Sequence, residues 1–181
     1  MKHKTAKERM GRVAAGLIRD GETLMLNGGS SITYFASELV DRRDLTIVTN
    51  NLRVLSALPE RCLRTVYVLG GTYLDSSQVM VGFAGFAAMP QISVDTAIIG
   101  IGGISARGCS IGKLEEALAT KEMMSVCGRT ILLADSSKFD VQAFASVATF
   151  EHVEYLVTDT LPTGSLAAAL DEAGVQVMVA E

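Results

Sequence analysis

Seven short apolar runs punctuate this chain, near residues 23–27, 45–49, 65–69, 95–101, 129–134, 154–158 and 175–179. They are apolar at successive positions, as in Ile131-Leu132-Leu133-Ala134, rather than alternating with polar residues. Such a run suits a strand buried on both faces. Helical patterns lie near 4–19, 31–40, 51–58, 82–89, 113–127 and 164–173. Strands separated by helices pair in parallel through right-handed crossovers. The chain is therefore expected to be an α/β protein, an open and mostly parallel sheet flanked by helices. The first helix carries Ala6, Met10, Val13, Ala14, Leu17 and Ile18 on one stripe, and Asp20-Gly21 is expected to stop it. Residues 135–152 are less regular and read as an excursion from the sheet, a loop, short helix or small flap. There is no internal repeat, and Pro59, Pro90 and Pro162 sit at element edges. No linker divides residues 1–181, which read as a single domain.

Composition excludes several classes of function. The formal net charge of −4 lacks the basic excess of a non-specific nucleic-acid binder. No apolar run approaches the ~20 residues of a membrane span. The polar start, Met1-Lys2-His3-Lys4-Thr5-Ala6-Lys7, leads into an amphipathic helix and does not read as a targeting signal. Cys62, Cys109 and Cys127 are odd in number and widely spaced, so buried thiols in a reducing cytoplasm are expected. With only His3 and His152, a histidine-based metal site or catalytic dyad is not expected, nor is a cofactor.

The stretch Asn27-Gly28-Gly29-Ser30-Ser31 joins the first apolar run to a helical pattern. A turn of small residues at a helix start leaves backbone N–H groups free where the helix dipole is positive. That is a recipe for an anion site, usually a phosphate. The same residues also suit a plain helix cap with tight packing.

In an open parallel sheet, ligands bind beyond the carboxyl ends of the strands. Small and polar residues follow each run at that rim. Thr49-Asn50-Asn51 follows the second, Gly70-Gly71-Thr72 the third, and Gly100-Ile101-Gly102-Gly103-Ile104-Ser105 the fourth. Asp135-Ser136-Ser137-Lys138 follows the fifth and Thr158-Asp159 the sixth. Glycines admit a ligand to the backbone, hydroxyl and amide groups meet sugar hydroxyls, and lysine meets phosphate. Each residue also has a structural reading as a cap or turn, but together they outline a polyol-phosphate pocket. Asp95 opens the apolar strand Asp95-Thr96-Ala97-Ile98-Ile99. It either orients a sugar hydroxyl or bonds neighbouring loop amides.

The set of motifs resembles the C-terminal effector-sensing domain of DeoR-family bacterial transcriptional regulators. The resemblance covers nearly the whole chain. It runs from Ala14-Ala15-Gly16-Leu17-Ile18-Arg19-Asp20-Gly21 through Gly28-Gly29-Ser30-Ser31, Val48-Thr49-Asn50-Asn51 and Leu69-Gly70-Gly71. It continues through Val81-Gly82, Asp95-Thr96-Ala97, Gly102-Gly103-Ile104-Ser105, Leu133-Ala134-Asp135-Ser136-Ser137-Lys138-Phe139 and Val157-Thr158-Asp159. Asn27 stands where the family usually has Asp, and Ser30-Ser31 where it often has Thr-Thr. The resemblance implies a ribose-5-phosphate isomerase-like fold. It implies a repressor whose operator binding is modulated by a phosphorylated sugar, acting as a homodimer or homotetramer in the cytoplasm. Operator DNA would be met through an N-terminal winged helix-turn-helix that these 181 residues do not contain.

The isomerase comparison implies a phosphate loop at Gly29-Ser30-Ser31 and makes Lys7, on the first helix, a candidate phosphate partner. Lys7 also reads as a solvated helix charge. The effector-binding set expected from all of this is Lys7, Asn27, Gly28, Gly29, Ser30, Ser31, Thr49, Asn50, Gly70, Gly71, Asp95, Gly102, Gly103 and Lys138. The isomerase's catalytic glutamate falls near Thr120, which is no base at neutral pH, and Ile101 stands where it has a lysine before the glycine run. Glu115 and Glu116 read as complements to the helix dipole. No catalytic residue is therefore expected, with an active sugar-phosphate isomerase as the alternative. A dinucleotide site is disfavoured, because no Gly-x-Gly-x-x-Gly follows the first strand.

Overall fold

The computed structural model describes residues 2–82 and 91–181. Helix α1 (Lys2–Gly16) leads into β1 (Thr23–Leu26), α2 (Ser30–Ser37), β2 (Leu45–Thr49), α3 (Leu52–Ala57) and β3 (Leu63–Val68). A hairpin of β4 (Thr72–Leu74) and β5 (Val79–Val81) follows, then β6 (Val94–Gly100) and a second hairpin of β7 (Gly103–Ser105) and β8 (Gly108–Ile111). The chain ends with α4 (Leu114–Ser125), β9 (Cys127–Leu133), β10 (Ala145–Ala148), β11 (Val153–Thr158), α5 (Gly164–Glu172) and β12 (Gln176–Val179). The helical pattern at 82–89 lies, from residue 83 on, outside the described residues.

Seven strands form one sheet in the order β12-β11-β9-β6-β1-β2-β3. Every neighbouring pair in it is parallel, as expected of the uninterrupted apolar runs. Alternate residues serve opposite faces. Leu24, Leu26, Ile98, Ile131 and Leu133 face the layer of α1, α2 and α3, with Met10, Ala14, Ile32 and Phe35. Met25, Ala97, Ile99 and Leu132 face the layer of α4 and α5, with Ala117, Met123, Leu166 and Leu170. Gly11 lets α1 lie close on α2: a Cβ there would stand 3.0 Å from the Phe35 backbone nitrogen.

Two local expectations shift. Helix α1 ends at Gly16, short of residue 19, and Leu17 and Ile18 continue it with tighter bonds to Ala14 and Ala15. Residues 135–152 hold a single 3-10 turn (Ser136–Lys138) and β10, which pairs antiparallel with β8. The excursion is thus part of a small sheet of order β10-β8-β7.

The strand order reverses between β1 and β6, so the carboxyl rim opens into a crevice at that point. The hairpins β4–β5 and β7–β8 both arise from chain leaving this rim. The amino rim is instead stitched shut. Arg129 donates to the Leu17 carbonyl at 3.0 Å and to Thr96 Oγ1 at 2.8 Å, and pairs with Glu22 at 3.3 Å and Glu154 at 3.5 Å.

Phe35 is fully buried between α1 and the sheet. Phe35→Ala is expected to lower unfolding free energy by about 3–5 kcal/mol, read from urea denaturation followed by circular dichroism.

Candidate functional site

A cavity of about 520 Å³ occupies the crevice at the β1–β6 switch. Its floor is the turn after β1. Asn27 is buried and its side chain is fully used: Nδ2 donates to the Gly100 carbonyl at 2.9 Å and to Thr120 Oγ1 at 3.2 Å, and Oδ1 accepts from Gly100 N at 2.8 Å. An aspartate here would accept from Gly100 N but set its second oxygen against the Gly100 carbonyl. Gly29 follows with φ 110° and ψ 153°, a conformation open essentially to glycine alone. Helix α2 begins at Ser30 with no side chain capping its first N–H groups. Lys7 reaches across from α1, and its Nζ donates to Ser30 Oγ at 2.8 Å. Free backbone donors, a hydroxyl and an ammonium thus converge on one wall.

The opposite wall comes from β9. Asp135 lines the cavity and caps its turn by accepting from Ser137 N at 3.1 Å and from the Ser137 hydroxyl. Burial alone would raise its pKa. The two Ser137 hydrogen bonds and the charges of Lys138 and Lys7 outweigh that and hold the carboxyl below its ordinary value. The ionised form is therefore favoured by folding, and its contribution is lost as pH falls through the lowered value. Lys138, one turn on, also lines the cavity.

The β4–β5 turn and the start of α4 supply the rest. Lys113 contacts Ser76 Oγ and lies 3.6 Å from Glu116 Oε1, which accepts from Ser77 Oγ at 2.7 Å. Arg53 Nε donates to Gln78 Oε1 at 2.7 Å. Asn50 is 3% exposed; its Nδ2 donates to the Met80 carbonyl at 2.8 Å and its Oδ1 has no partner among the described residues.

Of the residues expected from sequence, the cavity brings together Lys7, Asn27, Gly28, Gly29, Ser30, Ser31, Asn50, Gly102 and Lys138. Five others stand away from it. Asp95 lies exposed at the amino end of β6, on the far rim, and accepts from Thr23 N at 2.8 Å. Thr49 is buried beneath the rim, and its hydroxyl is spent on the Leu26 carbonyl at 2.7 Å. Gly70 and Gly71 lead into the first hairpin, where a Cβ on Gly71 would stand 2.3 Å from the Val81 carbonyl oxygen. Gly103 packs equally closely, since a Cβ there would stand 2.3 Å from the Val141 carbonyl oxygen. Sequence reasoning missed Arg53, Ser76, Ser77, Lys113 and the cavity-facing role of Glu116. The triplets Thr72-Tyr73-Leu74 and Val79-Met80-Val81, rich in β-branched and aromatic residues and flanking Asp75-Ser76-Ser77-Gln78, are the hairpin signal that points to the first of these walls.

A second cavity of about 620 Å³ shares no lining residue with the first and includes Arg107, Lys121, Cys127 and His152. Cys62 and Cys109 are buried as expected, whereas Cys127 is half-buried. Burial pushes the Cys127 and Cys109 thiols up to about 12. Among the described residues no cluster of three or more His, Cys, Asp or Glu is placed to hold a metal ion. No helix among them is long and apolar enough to cross a membrane.

This layered sheet with its rim cavity is the fold of ribose-5-phosphate isomerase and its structural kin. Ribose 5 phosphate isomerase A from Neisseria gonorrhoeae superposes with a TM-score of 0.54 at 16% identity, covering 75% of this chain and 53% of that one. Translation initiation factor eIF-2B of Pyrococcus horikoshii OT3 gives 0.57 at 14%, covering 86% and 62%. At such identities the likeness is one of fold. The chain belongs to the DeoR C terminal sensor domain family, whose model matches residues 2–160. Its relatives include the HTH-type transcriptional repressor GlcR of Bacillus subtilis (strain 168), 30% identical over 97% of this chain and 67% of the repressor. The transcriptional repressor AccR of Agrobacterium fabrum (strain C58 / ATCC 33970) is 30% identical over 87% and 62%. The glycerol-3-phosphate regulon repressor of Escherichia coli (strain K12) is 29% identical over 94% and 68%. The chain thus spans about two thirds of the length of these curated relatives.

Two outcomes test the site. Gly29→Ala is expected to cost about 1–3 kcal/mol in urea unfolding, against little change for Gly16→Ala, where a Cβ meets nothing within 4 Å. The stability advantage of the unaltered chain over Asp135→Asn is expected to shrink between about pH 7 and about pH 3, measured by the same unfolding assay.

Proposed function

We propose that this domain senses a phosphorylated sugar or polyol and passes that binding to a repressor's grip on operator DNA. The observation that carries the reading is the uncapped start of α2 at Gly29-Ser30, with Lys7 Nζ 2.8 Å from Ser30 Oγ, facing a cavity at the sheet's switch point. The phosphate sits on the Gly28-Gly29-Ser30-Ser31 turn, against Lys7. The hydroxylated part extends across Gly102 towards Lys138, Asp135 and Glu116. The name of one relative, the glycerol-3-phosphate regulon repressor, is in keeping with a small phosphorylated effector.

A ligand changes operator affinity only through unequal affinity for two conformations of the repressor. The part of the relatives beyond this chain's span would hold the DNA-binding segment, a winged helix-turn-helix. A homodimer or homotetramer, working in the cytoplasm, sets two such segments on paired half-sites.

The reading is of a sensor rather than an isomerase. Thr120 lines the cavity where that chemistry places its base, and its Oγ1 accepts from Asn27. Ile101 stands where a lysine is expected.

A thermal-shift series with matched sugars, with and without phosphate, tests this. At about 100 times its Kd, a phosphosugar is expected to stabilise the domain by roughly 2.7 kcal/mol, the free sugar far less, with no product formed. Ser30→Glu is expected to abolish the shift and Lys7→Met to weaken binding about tenfold. Turnover of the sugar would make the domain an enzyme. Silence with every phosphosugar would reduce the turn to a structural cap.

A further inference from the structure

We infer that Glu116 reads the far end of the ligand, so that the cavity admits phosphorylated polyols ending in hydroxyls and rejects phosphorylated sugar acids. The inference rests on the phosphate reading above and names the class of effector for that site.

Glu116 stands on the first turn of α4, and its side chain is 18% exposed. Its two oxygens have different surroundings. Oε1 faces the hairpin, taking the Ser77 hydroxyl at 2.7 Å with Lys113 Nζ 3.6 Å away. Oε2 points at the floor of the crevice, 3.9 Å from where a Cβ on Gly28 would stand, and has no hydrogen-bond partner among the described residues. The Ser77 bond and Lys113 fix the carboxylate from behind, so Oε2 is presented to whatever lies on the turn.

A carboxylate accepts and does not donate. A ligand hydroxyl brought to Oε2 donates a charge-assisted hydrogen bond. A ligand carboxylate in the same place sets acceptor against acceptor and like charge against like charge in a half-enclosed site. Oε2 is thus an acceptor that asks for a donor. The phosphate keeps clear of Glu116, since its donors are the N–H groups at Gly29–Ser31 and Lys7 at the start of α2.

D-Glucitol 6-phosphate and 6-phosphogluconate test this, because they differ only in a terminal hydroxymethyl against a carboxylate. Titration calorimetry on the full chain, with inorganic phosphate as a third arm, is expected to show the glucitol phosphate binding at least about tenfold more tightly than the acid. Glu116→Gln, whose amide can donate, is expected to narrow the ratio to about threefold, by weakening the former and strengthening the latter. Ser77→Ala, which loosens the carboxylate's support, is expected to narrow it in part. The comparison in the unaltered chain and in Ser77→Ala decides the matter even where Glu116→Gln fails to fold. Equal or tighter binding of the acid overturns the inference and leaves the phosphate cradle standing. A preference that survives Glu116→Gln removes Glu116 as its origin and overturns the assignment. Absence of binding in all three arms overturns the cradle and the inference together.

Discussion

The reciprocal clamp between the Asn27 side chain and the backbone of Gly100 is the interaction on which the cavity depends. One amide accepts the Gly100 N–H and donates to the Gly100 carbonyl, at 2.8 and 2.9 Å, where the sheet's order reverses. Ladder pairing between β1 and β6 runs only to Leu26 and Ile98. Beyond it, Asn27 pairs through its side chain, and the main chain is released into the Gly28-Gly29 turn. Glycine at 100 suits this close approach, since a Cβ would lie a tight 3.2 Å from both the Gly28 carbonyl oxygen and Ile32 Cγ1. A buried donor or acceptor left unmade costs about 1–3 kcal/mol. The clamp leaves neither Gly100 group orphaned, and Thr120 Oγ1 takes the second amide hydrogen. Asn51 Nδ2 extends the chain of bonds to the Asn27 carbonyl at 3.1 Å, and Thr49 Oγ1 to that of Leu26. Polar groups that look like ligand contacts in the sequence thus form the frame that holds the turn.

The two rims of the sheet differ in how their charges are engaged. At the amino rim Arg129 gathers Glu22, Glu154, Thr96 and the Leu17 carbonyl just beyond α1, and Asp95 takes Thr23 N. Its charges find partners within the chain. At the carboxyl rim Lys7 meets a hydroxyl and Arg53 Nε a neutral side-chain amide. A cation facing a neutral acceptor keeps most of its field for an incoming anion. The net charge of −4 hides a local excess, because Lys7, Arg53, Lys113 and Lys138 line the crevice against Asp135 and Glu116.

The central sheet was legible in the sequence because strands covered on both faces leave uninterrupted apolar runs, and all seven were found within about two residues of their ends. The floor of the cavity was legible for the same reason: the turn after the first run is local, and Gly28 to Ser31 carry its geometry. What escaped depends on distance across the fold. Asp95 and Thr49 sit next to rim motifs in sequence, but one starts its strand at the wrong end and the other turns its hydroxyl downward. Lys113 and Glu116 face the cavity only because the β7–β8 hairpin sets where α4 begins. Residues 72–81 form strands of three residues each, too short to show a period.

That hairpin has two different faces. Val79 and Val81 are buried in the core and anchor β5 there. Its other attachments are two backbone bonds, Met80 N to the Asn50 carbonyl at 2.8 Å and Leu52 N to the Gln78 carbonyl at 3.0 Å, and side-chain bonds around the cavity: Asn50 to Met80, Arg53 to Gln78, Ser77 to Glu116 and Lys113 to Ser76. Val79 also closes on the turn itself, with Cγ1 2.8 Å from where a Cβ on Gly28 would stand. Each polar bond engages only part of a group able to meet a ligand, leaving Glu116 one oxygen, Lys113 further hydrogens and Arg53 its terminal nitrogens. The lining is therefore already oriented by the hairpin before anything binds, and less rotamer freedom is lost when a ligand arrives. The valine anchors fix where the wall stands, and the polar bonds fix which atoms it presents.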